Sequence, residues 1–421
     1  MEGSVSIPQH SVSYYCLAPS NCSSIFSEGS YKLFRAFNFG IPELPYISGR
    51  EFVGEIVSLR SESTRLRRGD RVSPTLCLRI LLKNLQVLTI SQVLVPSTDY
   101  RDSRKAAFQQ YAIASDFNVI RLPTNISADE GATVGVAYVA AALALGVCLG
   151  VDFLNVLDGP DLFRVLRQIP RDELPSDVQA ECHDGISKDE RAKAGDWVAI
   201  WGGKNSPDLV SMRSLTDREG SSSTAILITQ LAQLAGLRVI SIVDQAKHGH
   251  RLSPTNIPTS VCTPDIVVDS HDPDRVEHVL NEITRGSLRF GIDTRGKDTA
   301  ALLLRSLVRS DSVSNESSLH SAVTKKRPHL VGLTGLPKLS STDPATTAAA
   351  PAPAVSLHSV PIKIFHDVPE VGLLLSVWLE KLLEKGKLKP PQAVGTEDGF
   401  EGVNRGLRTM REQGGRVVVR I

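Results

Sequence analysis

The chain has 421 residues, 41% of them apolar, and a formal net charge of +1. That length holds two domains with real cores, and the balanced charge excludes a basic nucleic-acid platform or an acidic docking arm. Its 6 cysteines (Cys16, Cys22, Cys77, Cys148, Cys182, Cys262) are scattered with no C-x-x-C pair, so neither structural zinc nor a disulfide framework is expected and a reducing, cytoplasmic setting is.

Residues 1–30 are Ser- and Pro-containing with weak periodicity and yield no element, and no secretory signal is legible in them. Glu51 to Leu59 alternates as a half-buried strand, and Arg67 to Val72 turns into another. Residues 73–92 are apolar without a period of two or 3.6 and interrupt two segments that would join naturally. Phe108 to Ala114 is strand-like. Ser127-Ala128-Asp129-Glu130 is a capping box opening a helix through Leu145. The uncharged run Val134 to Val151 reaches the length of a membrane span, but its Ala, Gly and Val content predicts a buried helix between domains. Another helix is expected at Asp161 to Gln168.

Residues 194–247 carry the strongest pattern. An apolar run, Trp197 to Trp201, stops at Gly202-Gly203. The small-residue turn Gly220-Ser221-Ser222-Ser223-Thr224 opens a helix with Ile226, Ile228, Leu231 and Leu234 on its apolar positions, and Gly236 ends it. A second β-rich run, Arg238 to Val243, leads to Asp244. Strand, glycine turn, helix, strand and acid make a dinucleotide-binding βαβ unit, with pyrophosphate on the helix N-terminus. A strict G-x-G-x-x-G is absent, because polar residues 204–219 interrupt the turn. A βαβ unit that binds nothing is the competing reading.

Further strands are predicted at Ile266 to Asp269, Phe290 to Asp293 and His329 to Leu333, with helices at Asp274 to Ile283 and Thr299 to Val308. That alternation predicts a doubly wound parallel sheet. Residues 340–359 are low-complexity Ala/Pro/Ser/Thr and read as a surface loop. Val371 to Lys385 is an amphipathic helix, and Arg416 to Ile421 a final strand.

Together these pieces resemble the medium-chain dehydrogenase/reductase superfamily, in its zinc-independent quinone and enoyl reductase branch. Ile47-Ser48-Gly49-Arg50-Glu51-Phe52-Val53-Gly54-Glu55 is similar to P-G-H-E-x-x-G-x-V, Gly69 to Val72 to G-D-R-V, and Phe108 to Tyr111 to A-F-A-E-Y. The run from Gly195-Asp196 to Thr224 resembles G-D-x-V-L-I-x-G-G, and Gly291 to Gly296 resembles F-D-x-V-G. Gly332-Leu333 sits where the family's strand passes the nicotinamide, and Gly386 to Leu388 with Gly415 to Val419 fits the tail.

The resemblance implies an α/β protein: a central Rossmann domain (150–336) and a β-rich GroES-like substrate domain built from both chain ends (1–149 and 337–421). It implies hydride transfer from a nicotinamide cofactor to a small-molecule substrate, with no nucleic acid or membrane partner, and dimers through the Rossmann sheet edge. Cofactor contacts are expected from Gly202, Gly203, Ser222, Ser223, Thr224, Asp244, Lys247, His248, Gly332 and Leu333. Asp244 favours NAD, since a carboxylate repels a 2′-phosphate. Lys247, His248 and Arg251 favour NADP, and NADP(H) is the reading adopted.

Zinc members carry His where this chain has Arg50, and Cys or His ligands in stretches that here read YKLFRAF (31–37) and TVGVAY (133–138). No metal is therefore expected, and a carbonyl or enone oxygen would be polarised by hydrogen bonds or a cation. Arg50, Lys32 and Tyr138 are the candidates, against the alternatives of an Arg50 ion pair with Glu51 or Glu55 and a core Tyr138. A catalytically impaired nucleotide-binding protein of the same fold is the rival reading, with a zinc alcohol dehydrogenase disfavoured. Residues 1–30 do not supply the family's opening β-hairpin, and 73–92 and 204–219 read as translated intervening sequence. A transcript encoding both insertions would overturn that.

Overall fold

A computed structural model of the protein describes residues 14–25, 47, 49–59, 92–97, 99, 101–202, 221–246, 263–308, 326–337, 355–413 and 415–421. The interruptions 73–91 and 204–219, the Gly69 to Val72 turn, Lys32, Gly203, Lys247 and His248 lie outside the described residues.

Two sheets organise the described residues. The first runs β12-β13-β1-β2-β3-β5, with β4 also paired to β1. Its strands are β1 (Tyr14–Ile25), β2 (Glu51–Leu59), β3 (Val93–Pro96), β4 (Ala112–Ser115), β5 (Ile120–Arg121), β12 (Gly395–Asp398) and β13 (Val417–Arg420). Both chain ends therefore meet in one sheet: Ser24 of β1 pairs antiparallel with Val419 of β13. β1 corrects the reading of residues 1–30 as elementless. Its register against β2 shifts twice, and strands with bulges lose the strict alternation that sequence reading relies on. The strand expected from Phe108 begins only at Ala112.

The second sheet is wholly parallel in the order β11-β10-β9-β6-β7-β8. Its strands are β6 (Trp197–Trp201), β7 (Arg238–Val243), β8 (Ile266–Asp269), β9 (Phe290–Asp293), β10 (His329–Gly332) and β11 (Ser356–Ser359). Renumbered within this domain, that is the doubly wound order 3-2-1-4-5-6. β11 corrects the reading of 340–359 as loop throughout. Residues 356–359 join the sheet beside β10, with Leu330 opposite Leu357.

The described helices are α1 (Ala128–Gly131), α2 (Gly135–Leu143), α3 (Leu162–Gln168), α4 (Gln179–Asp184), α5 (Ser221–Leu234), α6 (Pro273–Thr284), α7 (Lys297–Leu307), α8 (Ile364–Asp367), α9 (Pro369–Glu384) and α10 (Gly399–Gln413). The Ser127–Glu130 capping box forms as expected, with both reciprocal bonds present. α2 continues as a π-helical turn, Ala144–Cys148, where Gly146 lets Leu162 approach: a Cβ there would meet it at 2.9 Å. The stretch Ala128–Cys148 is long and apolar enough to cross a membrane, yet 89% of its apolar window is buried inside the fold. α2 packs on α5, so small residues here let two helices close the seam between the domains.

β12 and α10 had no counterpart in the sequence reading. Gly399, Gly402 and Gly406 weaken the helical signal of α10. A Cβ on Gly402 or Gly406 would stand 3.0 Å from Glu397 or 3.1 Å from Val417, so these glycines let the helix lie close against β12 and β13.

Candidate functional site

The parallel sheet switches direction between β6 and β9, and ligands of such sheets bind at that point, beyond the carboxyl ends of the strands. Gly202, Asp244, Asp293 and Gly332 end or follow β6, β7, β9 and β10 at that edge. Gly202 is required there by contact rather than by backbone angle, since a Cβ would sit 2.5 Å from Cβ of Ala225 on α5. At Gly332 a Cβ would meet the Gly335 carbonyl oxygen at 2.6 Å, and Leu333 donates its N–H to Asp293 O at 3.0 Å. These close approaches hold the first turn of α5 and the loop after β10 against the strand ends.

Ser223 and Thr224 are buried in the first turn of α5, and Ser222 lies there by its backbone. The start of a helix this long carries the positive end of its dipole. A cation joins them from the far end of the chain. Arg416, which leads into β13 and is 6% exposed, donates through Nε to Ser223 Oγ at 3.0 Å. Its Nη1 donates to Glu51 Oε1, and the other Glu51 oxygen accepts Val136 N–H at 2.7 Å. Glu51 is 2% exposed, so this carboxylate is dry and wholly committed. One buried ion pair thus ties β2, α2, β13 and the phosphate-loop helix together. Gln230 adds a second tie from α5, donating to Lys389 O at 3.1 Å and accepting Lys389 N–H at 2.8 Å.

Glu51 and Arg416 were missed as site residues. Both lie inside quoted motifs, but they stand 365 positions apart, and only the closure of the first sheet brings them together.

Asp244 is 1% exposed and follows β7, with His271 Nε2 at 3.6 Å from its Oδ2. Asp293 is fully buried and accepts N–H bonds from Arg295 at 2.9 Å and Gly296 at 2.7 Å. Burial pushes its carboxyl up to about 6, against the hydrogen bonds from Thr299, Gly296 and Arg295. A carboxyl whose folded value lies above its unfolded 3.8 binds more protons when folded, so it withdraws stability as pH rises between those two values. Asp293→Asn keeps an oxygen for both N–H donors. It is expected to flatten the fall in stability between about pH 4 and pH 6 and to stabilise the protein at pH 7 by at most about 3 kcal/mol, as read by urea unfolding across pH.

Arg50 is half-buried just before β2. Tyr138 corrects a sequence expectation: it is fully buried and donates its hydroxyl to Leu375 O at 3.0 Å, beside Trp378 with ring centroids 5.9 Å apart. Burial also raises its phenol well above the usual range, so it is a strut between α2 and α9 and supplies no proton to a substrate. Tyr138→Phe is expected to cost about 1–3 kcal/mol of stability through the unpaired carbonyl and to leave turnover unchanged; a proton donor would lose about a hundredfold or more.

Comparison with known proteins agrees with this architecture. Residues 12–124 match the alcohol dehydrogenase GroES-like domain. A trans-enoyl reductase of Gibberella fujikuroi (strain CBS 195.34 / IMI 58289 / NRRL A-6831) is 21% identical over 386 residues, spanning 87% of this chain and 80% of that protein. These matches support the medium-chain dehydrogenase/reductase superfamily. Among solved structures, a protein described as an NADPH:quinone reductase from Bacillus thuringiensis superposes with TM-score 0.59 at 14% identity, over 99% of this chain and 92% of that one. A mycobacterial protein complexed with NADPH gives 0.56 at 15%, over 100% and 94%. At those identities the likeness speaks to the fold. The pairing of a Rossmann sheet with a GroES-like domain is the fold expected from the sequence.

Proposed function

We propose that the protein is a zinc-independent, NADP(H)-dependent reductase acting on a quinone, an enone or an α,β-unsaturated thioester. The broader class, an NAD(P)H-dependent oxidoreductase, is indicated by the alcohol dehydrogenase domain match and the enoyl reductase relative. The observation that carries the reading is the cradle at the switch point: the first turn of α5, Ser223 and Arg416. These groups fit a pyrophosphate, because a helix N-terminus, a hydroxyl and a guanidinium converge where Gly202 lets α5 come close to the strand end. Bound there, a nicotinamide dinucleotide supplies the hydride. The chain holds it, orients it with Asp244 and the Gly332–Leu333 backbone, and excludes water at the domain seam. Arg50 is the described candidate for polarising a substrate oxygen.

Zinc independence rests on the donor set, since Arg50 replaces the ligand histidine and the start of α2 reads Gly135-Val136-Ala137-Tyr138. The preference for NADP(H) draws support from His271, whose Nε2 lies 3.6 Å from Asp244 Oδ2 and pairs with that acid when protonated, so the acid is then not presented bare to a 2′-phosphate. The name of the Gibberella fujikuroi relative favours an enoyl substrate.

The test is a titration with NADPH and NADH followed by nicotinamide fluorescence, then a panel of enones, enoyl thioesters and quinones. Tighter NADPH binding with turnover of one class supports the reading. Tighter NADH binding overturns the cofactor choice, and binding without turnover favours the impaired nucleotide-binding rival.

A further inference from the structure

Away from the cleft, the edge of the parallel sheet carries a buried chain of titratable groups that the reductase reading does not use. Cys148 ends the π turn after α2, Glu181 lies on α4 and His358 on β11. Cys148 and His358 are 0% and 1% exposed. A thiol sulfur, a carboxylate oxygen and an imidazole nitrogen from these three all lie within 4.8 Å of one another.

The groups behind them continue the chain. His358 Nδ1 is 2.7 Å from Glu181 Oε1 and its Nε2 is 2.9 Å from His329 Nδ1. The two rings stack with centroids 5.1 Å apart, and His329 Nε2 faces Glu190 Oε2 at 3.9 Å. A neutral imidazole carries one N–H. A carboxylate only accepts, so His358 must donate its Nδ1–H to Glu181. Its Nε2 then accepts from His329 Nδ1. That leaves His329 Nε2 bare and turned to a carboxylate, with no hydrogen-bond partner among the described residues. The hydrogen-bonded chain by itself therefore ends badly.

We propose that Cys148, Glu181 and His358 are a structural site for a divalent cation of the zinc class, clamping β11 and α4 onto the end of α2. Thiolate and imidazole are donors such an ion prefers, and a carboxylate completes a set of three. The second Glu181 oxygen or a water takes the fourth position. With His358 Nδ1 on the cation, its Nε2–H donates to His329 Nδ1, and His329 Nε2–H turns to Glu190. Each imidazole keeps one proton, and the thiol proton is the only one released. His329 and Glu190 become the outer partners that fix a ligating histidine. This site lies outside the cleft where the family's zinc ligands are missing, so it is independent of how reduction occurs.

The test uses the full reduced chain, stripped with a chelator and titrated with Co²⁺. One equivalent is expected to give the visible bands of tetrahedral cobalt and a thiolate-to-metal band in the near ultraviolet, both reversed by Zn²⁺. Zn²⁺ is expected to raise the melting temperature. Cys148→Ser should fold and lose the thiolate band, and His358→Gln should weaken binding about tenfold to a hundredfold or more. No thiolate band at one equivalent, or a band that Cys148→Ser leaves in place, overturns the proposal, as does a melting temperature that Zn²⁺ does not move.

Discussion

Arg416→Gln is expected to weaken NADPH binding about tenfold to a hundredfold and to destabilise the fold by about 3–5 kcal/mol. The two effects have separate causes. Ser223 loses a charged donor, and charge-assisted hydrogen bonds contribute about 1.5–3 kcal/mol, which at about 1.4 kcal/mol per decade is the affinity loss. Glu51, 2% exposed, is left with its charge unanswered, and breaking a buried pair on one side costs more than the pair itself contributes. The double variant Glu51→Gln, Arg416→Met separates the causes. It removes both charges while the introduced amide still offers an oxygen to Val136 N–H, so most of the stability should return and the NADPH affinity should not. Fluorescence titration and urea unfolding on both variants decide. If the double variant recovers affinity as well, Arg416 acts on the fold alone.

That pair also shows where sequence reading stops. The βαβ core was legible because strand, turn and helix each write their own period into adjacent residues: the runs Trp197 to Trp201 and Val239 to Val243 are buried along their length, as are Ile228 and Leu231 of the helix between them, whereas Ile226, expected on the apolar face, is 41% exposed and Leu227 is buried in its place. The doubly wound arrangement followed from the alternation of elements. The Glu51–Arg416 pair did not, because an ion pair between chain ends leaves no local period. The same holds for Cys148, Glu181 and His358: the spacing of cysteines and histidines along the chain argued against a metal site, while sheet closure at β11 assembles one donor from each of three elements. Tyr138 shows the opposite error. A tyrosine near a family ligand position suggested chemistry, but its place in an Ala-rich helix facing α9 makes it core. β1 was hidden by its register shifts, and α10 by glycines that serve packing.

Gly202→Ala is expected to be the most damaging small substitution at the site, costing about 1–3 kcal/mol of stability and about a hundredfold in NADPH affinity. The new Cβ would stand 2.5 Å from Cβ of Ala225, far inside the contact distance of two carbons. β6 is central in its sheet and pairs on both sides, so the strand holds and α5 must move. α5 carries Ser223, which meets Arg416, and Gln230, which meets Lys389 by two hydrogen bonds. A displacement of roughly an ångström therefore takes the helix N-terminus off the pyrophosphate and loosens the tie to the tail, and misplacement of that size costs about a hundredfold where geometry governs. Ala225→Gly removes the opposing carbon. Alone it should cost only about 0.5–1 kcal/mol as a helix glycine. Placed in the Gly202→Ala background it should restore binding, so the two changes couple strongly rather than adding. Additive losses would instead mean that Gly202 acts through its own backbone, and that the close approach of α5 to β6 is not what builds the cofactor site.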